Sequence, residues 1–337
     1  MSDTTKIQWA NHTGGPWLVC SMVSAGCTNC YAMDLMRTRL GPLVRKAYKS
    51  AGFEDWETRP IWGDKASRVL SKGFWNDAVR LNAKHAKEGT RGRWFPSMID
   101  WLDKMPAGII DQDGAEIEPV SVLAEFLLLI HNTPHLDWLL LTKRPENFHT
   151  LIEKVIEWRR STRRHDEVLS KWLDLWLVGK PPANVWIGVS VENQEQADKR
   201  IPELLKIPAK VRFLSCEPLL GEIDLDVAFD VCRDPQHGQM GDNHACPKTG
   251  EKVDWVIVGG ESGKGARQCN IEWIRSIVEE CKTAKVRVFV KQGGSNLFEG
   301  TVRVTTKDKK GGDLLELPED LRIREFPALQ REEHTKS

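Results

Sequence analysis

Asn184-Val-Trp-Ile-Gly-Val-Ser-Val-Glu192 is apolar at almost every position and ends on a carboxylate. A strand with one wet face alternates apolar and polar residues. A strand covered on both faces, as in a parallel sheet under helices, reads instead as a continuous apolar run. Similar runs occupy residues 16–20, 93–97, 137–141, 211–215, 255–258 and 286–290. Between most of them, residues 120–130, 148–160, 194–205 and 271–283 carry apolar side chains at helical spacing. Strand–helix alternation of this kind predicts an α/β fold with parallel strands and right-handed crossovers. Six or seven such units predict a partial or complete (β/α) TIM-like barrel. An open doubly wound sheet uses the same pattern and is the alternative.

The residues just after the runs carry the chemistry. Cys20 follows the first and Asp100 the second; then come Lys143-Arg144, Glu192-Asn193, Cys216-Glu217, Gly259-Gly260-Glu261-Ser262-Gly263 and Lys291-Gln292. In a β/α barrel the C-terminal strand ends form one rim, and that rim holds the active site. Cys216, Glu217, Lys143 and Lys291 are therefore candidate catalytic residues. Cys216 is read as facing the mouth, where a thiol could donate a hydrogen atom, although a buried cysteine acting as a small hydrophobe fits equally. Lys143, Arg144 and Lys291 could hold a phosphate or carboxylate, or pair with Glu192, Glu217 and Glu261 around the rim. Glycines at 259 and 260 allow a close approach of backbone to ligand, or simply a tight strand-to-helix turn.

The sharpest motif is Cys20-Ser-Met-Val-Ser-Ala-Gly-Cys27-Thr-Asn-Cys30-Tyr31-Ala32, spaced C-x6-C-x2-C. Three thiolates on one loop can hold three irons of a [4Fe–4S] cube and leave the fourth iron open to a small molecule. A structural zinc would ordinarily take a fourth protein ligand, and none is near in sequence. Eight cysteines in 337 residues, behind an N-terminus without an apolar signal region, read as metal or redox groups in a reducing cytoplasm. No apolar run approaches the length of a membrane span.

Two stretches read as insertions. Residues 38–92 form a basic, helix-prone excursion. Residues 37–93 hold fourteen Lys or Arg against six acids, a net of +8 in a chain that is neutral overall, with Trp56, Trp62 and Trp75 among them. Phosphates attract such cations and bases stack on such rings, so a nucleic-acid partner is expected. Arg159-Arg160-Ser-Thr-Arg163-Arg164-His165 adds a second basic cluster. Residues 226–252 contain Cys232, His237, His244 and Cys246, a candidate zinc knuckle on a Gly- and Asp-rich loop. The remainder, 1–327, reads as one domain, and 328–337 as a flexible tail.

Several separate motifs carry a family resemblance. They are Lys6-Ile-Gln-Trp9, Gly26-Cys-Thr-Asn-Cys-Tyr-Ala32, Leu141-Thr-Lys-Arg-Pro-Glu146, the stretch 184–192, Phe213-Leu-Ser-Cys-Glu-Pro-Leu219, Trp255-Val-Ile-Val-Gly-Gly-Glu-Ser-Gly263, Lys291-Gln-Gly293 and Gly311-Gly312-Asp313. Together they resemble the phage three-cysteine-motif family, found in phages and bacteria and itself without known function. That family looks like a divergent branch of the radical S-adenosylmethionine enzymes. The resemblance implies a [4Fe–4S] cluster on Cys20, Cys27 and Cys30. S-adenosylmethionine would lie against Gly259, Gly260, Glu261, Ser262 and Glu192, with Tyr31 shielding the cluster. It also implies an electron donor such as flavodoxin or ferredoxin. A 5′-deoxyadenosyl radical would then modify or rearrange a substrate, with a nucleic-acid base, in particular thymine or another base of phage DNA, as the favoured class. A duplex base would have to be flipped into the rim pocket. Two departures stand out. The superfamily's first cysteine gap is three residues and here it is six, and its Gly-Gly-Glu element follows an early strand and here a late one. The rival readings are lesion repair resembling spore photoproduct lyase with Cys216 as hydrogen donor, a non-catalytic zinc-containing nucleic-acid-binding protein, and a cluster used only for structure or sensing.

Overall fold

The computed structural model describes residues 5–162, 167–229 and 252–327. Seven parallel strands form one curled sheet, in which each hydrogen-bonds only to its neighbours in chain order. They are β1 (His12–Thr13), β2 (Gly92–Phe95), β3 (Leu136–Thr142), β4 (Val185–Ser190), β5 (Val211–Cys216), β6 (Trp255–Gly259) and β7 (Arg287–Gln292). The sheet is a half-barrel flanked by helices, the partial β/α barrel that the alternation of runs implies.

Six of the seven strands fall on the apolar runs. The first does not. Residues 16–20 lie outside the barrel, and Trp17–Leu18 joins a small accessory sheet with Arg68–Leu70, Ile109–Ile110 and Glu116–Ile117. The barrel begins instead at His12–Thr13, which pairs with Trp94 and Phe95. Two glycines and a proline at 14–16 separate it from the apolar run, so the chain changes direction before the apolar residues arrive.

Helices α1 (Tyr31–Leu35), α2 (Gly41–Ser50) and α3 (Lys72–Glu88) lie in the long connection from β1 to β2. A single π-helical turn at Met36–Leu40 joins the first two. The later crossovers carry α4 (Pro119–His131), α5 (Phe148–Ser161), α6 (Glu167–Leu177), α7 (Gln194–Leu205) and α8 (Ile271–Thr283).

The sheet sorts its side chains by parity. Trp138, Ile187, Leu214, Val256 and Val288 pack into the large core shared with α4, α5, α7 and α8. Their neighbours Leu139, Trp186, Phe213, Trp255, Ile257 and Phe289 pack on the helix-free face with Trp9 and Phe326 from the two ends of the described chain. Trp255 is held there by donation from Nε1 to the Glu325 carbonyl, 2.9 Å. Gly188 lies opposite Phe213 in the ladder, and a Cβ at Gly188 would run into that ring. The concave face is thus an aromatic floor that stops partway up. Higher along the same face come Ser190, Ser215, Gly259 and Lys291, and beyond the strand ends Lys143, Glu192, Glu217 and Glu261.

Candidate functional site

The cysteine loop leaves the C-terminal end of β1 and lies across this ring. A short helical turn at Ala25–Cys27 and then α1, whose N-cap is Cys30, shape it. Glu192 is fully buried beneath it. Its carboxylate accepts from Ser24 Oγ (2.9 Å), from Lys143 Nζ and from Arg200 Nη1 (2.9 Å). A Cβ on Gly26 would collide with the Glu192 side chain, so only glycine lets the loop settle this close. Burial by itself would raise the Glu192 pKa, but Lys143 and Arg200 outweigh it and hold the carboxyl below its usual range.

Glu261 ties the other side. It accepts from Asn29 Nδ2 (3.0 Å) and from Arg267 through the backbone N–H (2.9 Å), Nε (3.0 Å) and Nη2 (2.5 Å). Arg267 Nη1 also donates to the Ala25 carbonyl at 2.8 Å. Burial again opposes ionisation of Glu261, and the Arg267 and Asn29 hydrogen bonds again prevail, lowering its pKa. Arg267 and Arg200 carry no motif signature, and the motif that contains Ser24 and Asn29 does not indicate their partners. They find their partners only through the fold.

Cys20 sits in a third network. Asp100 accepts from Thr142 Oγ1 (2.6 Å), the Lys143 N–H (2.9 Å) and Arg144 Nη1 (2.9 Å). Arg144 Nη2 reaches the Ser21 carbonyl at 3.3 Å. Arg68, wholly buried, pairs with Asp103 and donates to Ser21 Oγ. Val19, immediately before Cys20, has φ +81, a left-handed backbone that a β-branched residue rarely adopts. Strain of this kind persists only where surrounding contacts impose it. Burial pushes the Cys20 thiol up to about 12, with Asp100 adding to the effect and Arg144 opposing it. Cys30 is raised by burial too, but hydrogen bonds from the Ala32 and Met33 backbone N–H groups favour its thiolate.

A tetrahedral zinc with sulfur at about 2.3 Å brings its thiolates to roughly 3.8 Å from one another. Among the described residues only Asp224, Asp226 and Glu280 place three ligand atoms mutually within 4.8 Å; the three cysteines do not. Cysteines on a cube each take a different iron and stand further apart. Cys20, Cys27 and Cys30 are the residues that would hold such a group.

Several expected contacts fall elsewhere. Cys216 does not face the mouth. Phe213 and Ser215 take the concave side of β5, so Leu214 and Cys216 turn into the helix-side core, where Cys281 of α8 acts on the Cys216 thiol. Burial raises that thiol well above its ordinary value. Glu192 and Glu261 are engaged with the protein's own cations and hold the loop in place. Gly260 is a glycine because the Gly293 carbonyl occupies the space a Cβ would need, and Gln292 clamps it from both sides, so its role is chain packing. Lys143, Arg144 and Lys291 take the ion-paired option, on Glu192, Asp100 and Glu217 respectively. Ser262 is exposed at the rim. Tyr31 leaves half its surface exposed, yet its hydroxyl end is enclosed, with the Ser97 side chain and the Met98 backbone as partners.

In the basic excursion Trp56 and Trp62 pack into a small core beside the cysteine loop, and Trp75 into the main one. Arg37, Arg39 and Lys46 remain exposed, the first two on the π-helical turn. In the second cluster Arg159 pairs with Glu125 and Arg160 with Asp174. Cys232, His237, His244 and Cys246 lie outside the described residues. No described helix is long and apolar enough to cross a membrane.

Fold and site together define a partial β/α barrel whose rim carries a three-cysteine loop. The chain belongs to the family described as protein of unknown function (DUF5131), whose model matches residues 4–316. No curated protein and no solved structure matches it.

Proposed function

We propose that this protein is a radical S-adenosylmethionine enzyme acting on a nucleic-acid base. The observation that carries the reading is the three-cysteine loop itself, seated on the C-terminal rim of a parallel half-barrel. Cys20, Cys27 and Cys30 would hold the [4Fe–4S] group. Such a group would supply the one electron that reductively cleaves a sulfonium C–S bond of S-adenosylmethionine, giving methionine and an adenosyl radical able to take a hydrogen atom.

The chain's own residues do the rest. Glu192 and Glu261 fix the loop from beneath and from the side. Asn29 also donates to the Gly265 carbonyl at 3.2 Å, so the exposed turn at 262–265 borders the loop where a nucleoside would lie. Tyr31 and the aromatic floor exclude water from one side of the mouth. Exposed Arg37, Arg39 and Lys46, a few residues beyond Cys30, are placed in sequence to hold phosphates flanking a base.

The test is turnover. Anaerobically reconstituted protein, given dithionite, S-adenosylmethionine and single-stranded DNA, should release 5′-deoxyadenosine, detected by mass spectrometry, faster with DNA than without. Release that DNA does not affect would overturn the nucleic-acid part. No release under any condition would overturn the radical part.

A further inference from the structure

The four rim carboxylates are not equally satisfied. Asp100 accepts four hydrogen bonds, from Leu102 N, Thr142 Oγ1, Lys143 N and Arg144 Nη1. Glu192 accepts three and Glu261 four. Glu217 has an ion-pair contact from Lys291 Nζ at 2.7 Å that is not aligned as a hydrogen bond, and a long 3.5 Å donation from Ser215 Oγ. Its side chain is only 12% exposed. An ionised carboxylate has about four acceptor sites, and a nearly buried one with most of them empty calls for an explanation.

Glu217 and Lys291 also differ from the other pairs in place. Both lie on the concave side, above Phe213 and Phe289, beside Ser190, Ser215 and Gly259. A Cβ on Gly259 would stand 3.2 Å from Glu217 Oε1, so glycine there keeps the carboxylate's surroundings clear.

We infer that Glu217 and Lys291 form the subsite that reads the hydrogen-bonding edge of the substrate base. This rests on the proposed action on nucleic acid and adds to it the residues that recognise the base. The pair presents an acceptor next to a donor and is neutral as a unit. A free cation or anion would have to break it, whereas a neutral planar edge with a donor beside an acceptor satisfies both members at once. Every nucleobase has such an edge, and the bases differ in the order and spacing of the two groups. Glu217 Oε2, which has only the long contact from Ser215, takes the base N–H, and Lys291 donates to the neighbouring carbonyl or ring nitrogen.

Fluorescein-labelled single-stranded dT, dA and dC homo-oligomers of about eight nucleotides test this by anisotropy with the full-length protein. The wild type should prefer one base by about tenfold or more. Glu217→Gln and Lys291→Met should each reduce that preference to about twofold while leaving the salt dependence of binding unchanged, because phosphate contacts are untouched. Lys291 is partly exposed, so water can solvate it when Glu217 is replaced, and a circular dichroism spectrum checks both folds. Oligomers bound with equal affinity by the wild type, or a preference that both variants retain, would overturn the subsite and leave the action on nucleic acid standing. No binding of any oligomer would overturn both.

Discussion

Cys20, Cys27 and Cys30 on the rim loop contrast with Cys216, Cys269 and Cys281 in the helix-side core. All six are free thiols, and burial raises Cys20, Cys30 and the three core thiols alike. Their neighbours separate the two groups. Cys30 has backbone N–H groups on its sulfur and Lys143 nearby, and Cys20 has Arg144 and Arg68 set against Asp100 and Asp103. Cys269 has burial alone, while Cys216 and Cys281 have burial plus carboxylates, all of which favour the neutral thiol. The rim thiols have cations among their neighbours, and the core thiols behave as small apolar groups.

The largest effect that tests this contrast is on metal content. Cys27→Ser should abolish cluster assembly, read as loss of bound iron and visible absorbance, while Cys216→Ala should leave both at wild-type levels. Iron lost equally from both variants would erase the distinction. Next is Glu192→Ala, which leaves Lys143 and the buried Arg200 without their shared partner. It should cost about 3–5 kcal/mol in urea unfolding and lower cluster occupancy with it. A cost under about 1 kcal/mol would mean that the loop does not depend on this carboxylate.

Cys216→Ala comes third, with an expected loss of about 1 kcal/mol from a small cavity and normal turnover. Lost turnover at full iron loading would restore Cys216 as a hydrogen donor. The smallest effect is on pH dependence. Glu192 and Glu261 have folded pKa values below the ordinary 4.5, so the unfolded state binds more protons and stability rises with pH. Their contribution is complete above 4.5 and is lost as pH falls through the folded values. The slope of unfolding free energy against pH below 4.5 should be flatter in Glu261→Gln than in wild type. Equal slopes would show that Arg267 does not hold an ionised Glu261.

Much of this was legible before the fold. Strands β2 to β7 stand out because both faces are buried, which leaves an apolar run of strand length. β1 does not, because two residues carry no pattern and the neighbouring run 16–20 is apolar for a different sheet. Helix α6 has Leu169, Trp172, Leu173 and Trp176 at helical spacing, but it follows directly on a basic cluster that masks its start. The orientation of Cys216 was also available from parity, since Phe213 and Ser215 share a face and Cys216 cannot join them. The partners of Arg267, Asn29 and Arg200 were not available. These residues act on carboxylates brought to them by loops and by a crossover helix, and sequence spacing encodes no such meeting.

The central claim is that the rim cysteines hold a four-iron cluster with a site open to S-adenosylmethionine. Its most direct measurement is the iron content and electron paramagnetic resonance spectrum of anaerobically reconstituted, dithionite-reduced protein, with and without S-adenosylmethionine. The account predicts about four irons per chain and a cube signal that shifts when S-adenosylmethionine is added. Protein that takes up zinc at the loop and no iron, or a cube signal indifferent to S-adenosylmethionine, would contradict it.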